Sequence, residues 1–323
     1  MKPTTQLLAL LAIVVFAWGC KKSSGSNATP SIPSNVYVAG YSFSNAIYWN
    51  NGIIYNLSAG TSSEAYSIFV SGSDIYVCGR YLDSFQVNHP IYWKNNVAVR
   101  FTDYIGLITD IKLGNGKVYA SGYIKDSATG NDLPVYWTNG IITKLSTFSG
   151  SCNSIYLAGN DIYLGGHENG SATIWKNGNV IFKDSLSEIT KITVSGNDVY
   201  ATGYQPKNST FPYVAVLWKN GVKNLFNGNA TTLCYDVFVD SNNVYVTGYE
   251  GETTIHPRVW KNNIPIIFQT TDEGGAMASA IYNNTVYTVG KNSTSMSRPV
   301  IWANGNPYII SDIWGAFTSI FIK

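Results

Sequence analysis

Seven times along the 323-residue chain a Val/Ile-Tyr-x-x-Gly segment is followed by Trp-[Lys/Asn/Thr/Ala]-Asn-[Gly/Asn]. The tyrosines are Tyr37, Tyr76, Tyr119, Tyr163, Tyr200, Tyr245 and Tyr287, each with a glycine three residues on, from Gly40 and Gly79 to Gly290. The tryptophans keep step as Trp49, Trp93, Trp137, Trp175, Trp218, Trp260 and Trp302. Self-similarity at a period of about 40 residues implies a radial or stacked array of one supersecondary unit. Any other partition of the length into domains would have to cut the repeat.

The unit at 65–101 shows the grammar. Tyr66 to Ser71 reads as a first strand and Gly72-Ser73 as a tight turn. Ile75 to Arg80 reads as a second strand, Pro90 to Lys94 as a third and Val97 to Phe101 as a fourth. In five of the seven units the last turn is Asn-Gly, a strong short-range hairpin signal because both central residues need positive φ. Four antiparallel strands joined by short turns make a propeller blade. The pattern starts at a second strand, Val36 to Gly40, while Phe317 to Lys323 (FTSIFIK) matches the first strand YSIFVS. The expectation is an all-β, seven-bladed β-propeller over 36–323, its ring closed by the C-terminal strand joining blade one. Closure of this kind removes exposed sheet edges.

Residues 1–20 read as an address rather than as part of the fold. Lys2 precedes an apolar run, Leu7 to Phe16, that ends in Ala17-Trp18-Gly19-Cys20. This resembles a bacterial lipoprotein signal, which implies lipidation at Cys20 and a Gram-negative cell-envelope location. The absence of an acidic residue directly after Cys20 resembles sorting to the outer membrane. Residues 21–35, rich in Ser, Asn and Pro, read as a flexible tether. In its glycine-ended second strand and its Tyr and Trp positions, the repeat resembles kelch-type propellers and the Trp-Lys-Asn-Gly propeller repeats of Bacteroidetes-like lipoproteins. It departs from kelch in carrying a single glycine everywhere except Gly165-Gly166. That resemblance implies a fold and an anchor, and no particular activity.

Cys78 stands where other repeats carry small residues, and Cys152 and Cys234 match each other two repeats apart. Inner strands separated by a whole blade lie beyond disulfide reach, so free buried thiols are expected.

An up-and-down meander puts the two-to-three loops and the blade-to-blade loops on one face. From Trp to the next Tyr the spacing is 27, 26, 26, 25, 27 and 27, whereas from Gly to Trp it is 9, 14, 15, 9, 15, 12 and 12. Length variation is therefore concentrated in the two-to-three loops, and variable loops on a uniform scaffold are how binding faces are built. Acids gather there too. Asp83, Asp126, Asp132, Glu168, Glu250 and Glu252 fall in two-to-three loops, and Glu64, Asp103, Asp184, Glu188, Asp272, Glu273 and Asp312 between blades. An acidic face disfavours anions and suits neutral glycans, cations or basic protein surfaces.

The once-per-blade Tyr and Trp residues are expected to pack between sheets. Candidate ligand contacts are therefore sought off the ladder, in Trp314, Tyr104, Glu188, Asp272 and Asp312, with Phe85, Phe148 and Phe211 in comparable loops. His89, His167 and His256 are spread over alternate blades, so no metal site is expected. No nucleophile elbow, calcium loop or phosphate loop occurs, and no cofactor is implied. A net charge of +2 with 12% charged residues gives no basic face for nucleic acid. The reading is a monomeric binding or scaffold propeller for a protein or glycan, touching membrane only through its lipid. The alternative is a carbohydrate-active enzyme, a glycosidase or lyase, on the same face. Asp110, Lys112, Lys191 and Asp236 on first strands are possible channel residues whose direction periodicity alone does not give.

Overall fold

In six of the seven repeats the Asn of the last turn ties two hairpins together. In a computed structural model of the chain, both central residues of all seven turns have positive φ, from Asn51 (48°) and Gly52 (81°) to Asn304 (46°) and Gly305 (81°). Even the two Asn-Asn copies, Asn95-Asn96 and Asn262-Asn263, adopt it. This is the geometry that a two-residue hairpin matched to right-handed strand twist requires. The first Asn also accepts, through its side-chain oxygen, the amide at the start of strand two: Ile75 on Asn95, Val199 on Asn220, Val286 on Asn304. In three of the four repeats where Lys precedes it, the ammonium meets the aspartate of the facing hairpin, as in Lys94–Asp74 at 2.8 Å and Lys176–Asp161 at 2.7 Å. The same lysines lie over the repeat rings of Tyr76 and Tyr163. The Trp-Lys-Asn-Gly signature is thus a clasp between the two hairpins of one blade.

The structure describes residues 32–101, 103–207, 212–226, 230–266, 268, 273–292, 297–310 and 313–323. Cys20, the tether up to Ser31, Phe211, Asp272 and Asp312 lie outside them. Ile32–Lys323 forms one compact unit of seven four-stranded antiparallel sheets, and among the described residues there is no helix. Blades two to seven span 62–100, 106–144, 150–185, 188–225, 231–266 and 274–309. Blade one takes its three outer strands from 36–56 and its innermost strand from Gly315–Ile322, which pairs antiparallel with Val36–Ser42. The first strands neighbour one another around the ring, and Gly315–Ile322 sits between Gly274–Tyr282 and Ser62–Ser71 to complete it. The expected seven-bladed propeller, closed by its C-terminal strand, is the fold.

The tryptophan ladder is core. Trp93, Trp137, Trp175, Trp218 and Trp302 are fully buried, and each blade's apolar face packs with its neighbour's: Tyr48 and Ala39 of blade one, for example, with Ile68 and Trp93 of blade two. Cys78, Cys152 and Cys234 are free and buried in the same layers.

First strands run longer than the alternating pattern suggests. Ser62–Ser71 begins four residues ahead of the expected start because it carries a β-bulge, Tyr66, which breaks the alternation. All seven inner strands share this bulge, at Tyr66, Thr109, Asn153, Thr190, Tyr235, Met277 and Thr318. It explains the repeat glycine. A Cβ on Gly79 would lie 1.8 Å from the carbonyl oxygen of Glu64, and one on Gly203 equally close to that of Glu188. Backbone cannot yield there, so only glycine fits opposite the bulge.

Candidate functional site

Bulges re-aim side chains, and here all seven bulged residues turn toward the ring axis. They line a central cavity of about 720 Å3 that draws on every inner strand. Each lies in the half of its strand nearer the blade-to-blade loops, so the bulge ring frames the channel mouth on the variable-loop face.

Four of the seven bulged residues act as stitches. Thr109 donates its hydroxyl to the Cys152 carbonyl of the next blade (2.7 Å), Thr190 to Cys234 (2.8 Å) and Thr318 to Ala65 (2.9 Å). Asn153 does the same with its amide, to Ile189 (2.8 Å). Among the described residues Tyr66, Tyr235 and Met277 make no such bond to the next blade's carbonyl. They present aromatic or thioether surface to the channel instead. Tyr66 donates to Glu64 (2.7 Å), which is itself held by Arg80 at 2.9 Å. Tyr235 packs against Tyr249 with ring centroids 5.9 Å apart, and Tyr204 meets Tyr213 edge-on at 5.2 Å. Burial, with Glu64 beside it, pushes the Tyr66 phenol well above its ordinary value, and burial does the same for Tyr204 and Tyr235. These phenols stay protonated as hydrogen-bond donors. With Tyr123, Leu107 and Glu188 they make the mouth a tyrosine-rich bowl.

Below the mouth lies a charged layer. Asp110 is fully buried and takes six donors from the described residues: the hydroxyls of Ser67 and Ser154, the amides of Ile111 and Ile155, and the ammonium groups of Lys112 (2.7 Å) and Lys191 (2.8 Å). Lys191 reaches it from two blades away, past the inner strand of blade four. Burial alone would raise the Asp110 carboxyl, but the two lysines outweigh it and hold it well below the usual carboxylate range. Asp236 stands at the equivalent place in blade six. Among the described residues it receives only the amides of Ser279 (2.9 Å) and Val237, and burial pushes its carboxyl up, with Lys191 opposing. Beyond this layer the channel turns apolar, with Phe69 and Phe321 edge to face at 5.0 Å.

The residues picked from sequence are scattered. Glu188 lines the cavity, where it accepts the Tyr204 hydroxyl (2.7 Å) and the Asn153 amide (3.0 Å). Trp314 does not line it. The ring stacks on Phe43 at 6.0 Å, and the Trp314 carbonyl accepts the Phe43 amide, on the closure seam. Tyr104 packs against the core beside blade three, and its carbonyl accepts His89 Nδ1–H (2.7 Å). Phe85 and Phe148 are exposed loop residues. The acidity of the face is also reduced, since Glu64, Asp126, Asp132, Glu168, Asp184 and Glu250 are each within 4.0 Å of a lysine or arginine. The bowl residues Tyr66, Tyr235 and Met277 went unnoticed in the sequence. In blades two to seven the bulged residue stands thirteen positions before the repeat glycine, so aligning on that glycine exposes the exceptions.

No family model matches the chain, and no curated protein matches it in sequence. Solved structures do resemble it in fold. A puromycin-hydrolysing peptidase of Mycobacterium tuberculosis matches at TM-score 0.54 and 10% identity, over 87% of this chain and 52% of that one. The acylaminoacyl peptidase of Pyrococcus horikoshii matches at 0.53 and 11%, over 87% and 51%. The periplasmic gluconolactonase of Pseudomonas aeruginosa matches at 0.51 and 8%, over 89% and 98%. The chain spans about half the length of the two peptidases. At these identities the likeness is one of propeller fold alone.

Proposed function

We propose that this chain is a binding propeller of the bacterial cell envelope, held to the outer membrane by lipid on Cys20, which takes a protein segment or glycan in the tyrosine bowl at its channel mouth. The observation that supports this reading is the replacement of the inter-blade stitch by Tyr66, Tyr235 and Met277. Three seams forgo a hydrogen bond that four others keep, and gain surface facing an open cavity. Residues that break a local rule without structural benefit are where function is to be sought. Tyrosine suits such a bowl because it offers a rigid apolar face with a hydroxyl at its edge. Glycan-array screening followed by calorimetry on wild type and Tyr235→Ala tests it. Binding lost in the variant supports the reading. Release of product from a polysaccharide would overturn it in favour of the glycosidase or lyase alternative. Metabolic labelling with a fatty acid, lost in Cys20→Ser, tests the anchor separately.

A further inference from the structure

Asp110 and Asp236 occupy the same place on the inner strands of blades three and six, yet their surroundings differ. Asp110 is flanked by Ser67 and Ser154 on the adjoining blades, and both hydroxyls donate to it. At the corresponding places beside Asp236 stand Lys191, whose ammonium is bonded to Asp110 at 2.8 Å, and Ala278, which has no donor. The other channel lysine, Lys112, is also bonded to Asp110. Both cations are therefore bonded to one carboxylate, and Lys191 acts on Asp236 only through space. The second, more than nine-tenths buried, faces the cavity with two backbone amides and no side-chain donor among the described residues. Next to it on its own and the adjoining inner strand are Tyr235 and Met277, faces of the kind that favour an alkyl chain or a cation over a ring.

We infer that Asp236 is the floor of a subsite for an alkylammonium group, entering from the mouth with its carbon chain along Tyr235 and Met277. This rests on the binding reading above and specifies one ligand chemistry for it. An ammonium brings three donors to a carboxylate that lacks side-chain donors, and a buried charge gains most from a charge-assisted hydrogen bond. Its source can be a free amine or a lysine side chain on a protein partner. An anion drawn to Lys112 and Lys191 would instead have to compete with Asp110, which already holds both.

Calorimetry on the full chain at neutral pH decides the matter, with n-butylammonium, butan-1-ol, butyrate, cadaverine and an acetyl-lysine-amide peptide as probes. The expected result is n-butylammonium binding at least about tenfold tighter than the isosteric alcohol, a gap lost in Asp236→Asn. Asn keeps an oxygen for the Ser279 amide. Should that variant fail to fold by circular dichroism, Ala278→Ser decides instead, by supplying the hydroxyl that Asp236 lacks and weakening the amine. Tighter binding of the peptide than of cadaverine identifies a protein source, and the reverse a free amine. Equal binding of amine and alcohol, tighter binding of butyrate, or full binding to a folded Asp236→Asn would overturn the inference. A glycan that binds wild type and loses affinity in Tyr235→Ala, with no amine bound, would leave the binding reading standing and this subsite refuted.

Discussion

Replacing Asp110 by Asn should be costly in a way that pH reports. The carboxylate is 1% exposed and neutralises two lysines, while Asn keeps the shape and removes the charge. Breaking a buried ion pair by removing one partner costs about 3–5 kcal/mol. Lys112 and Lys191 keep 21% and 26% of their side-chain surface, so channel water softens the loss and the lower end, about 3 kcal/mol, applies. Unfolding entropy of roughly 0.6 kcal/mol/K for a unit of this size turns that into a fall of about 5 °C at pH 7. The sign follows from linkage. The depressed Asp110 carboxyl contributes stability above its unfolded pKa, and that contribution is lost as pH falls below about 4. In the variant the lysines lose their counter-charge and favour the neutral form, so the variant gains stability as pH rises from 7 toward 10. The deficit measured by thermal and urea unfolding should peak near neutrality and narrow at both ends. A deficit under about 1 kcal/mol, or one independent of pH, would refute the crosslink as a source of stability.

Three further outcomes follow from the blade geometry. Gly203→Ala places a Cβ at 1.8 Å from the Glu188 carbonyl, so loss of about 3 kcal/mol or more is expected in urea unfolding, or no folded protein at all. Thr190→Val removes one inter-blade stitch at constant shape and should cost about 1–3 kcal/mol, since the Cys234 carbonyl keeps no replacement for that donor. Asn263→Gly, at φ 67° in a turn where five other blades carry Gly, should be neutral or stabilising by up to about 1 kcal/mol in urea unfolding.

The binary pattern of this chain is dense enough that the sequence alone determined blade number, strand order, turn type and closure. Those features depend on local chemistry repeated seven times: Asn and Gly where φ must be positive, Trp where sheets meet, a glycine where backbone crowds. The Asp110, Lys112, Lys191 and Asp236 set was legible only as candidates, because inner strands are buried on both faces and alternation does not say which side is the axis. The bulge was illegible for a related reason. One extra residue inverts the alternation midway, so the first four residues of Ser62–Ser71 read as loop. Loop residues such as Trp314 drew attention as exceptions, but whether an exception faces a cavity or a seam depends on where its blade stands in the ring, and Trp314 lies on Phe43. Tertiary structure alone decided which side chains share the mouth, that Lys191 reaches Asp110 from two blades away, and that Asp236 has no such ion pair among the described residues. Those are contacts between residues 43 to 81 positions apart, from Ser67 to Asp110 at 43 to Lys191 to Asp110 at 81, and no periodicity carries information about which inner-strand side chains meet.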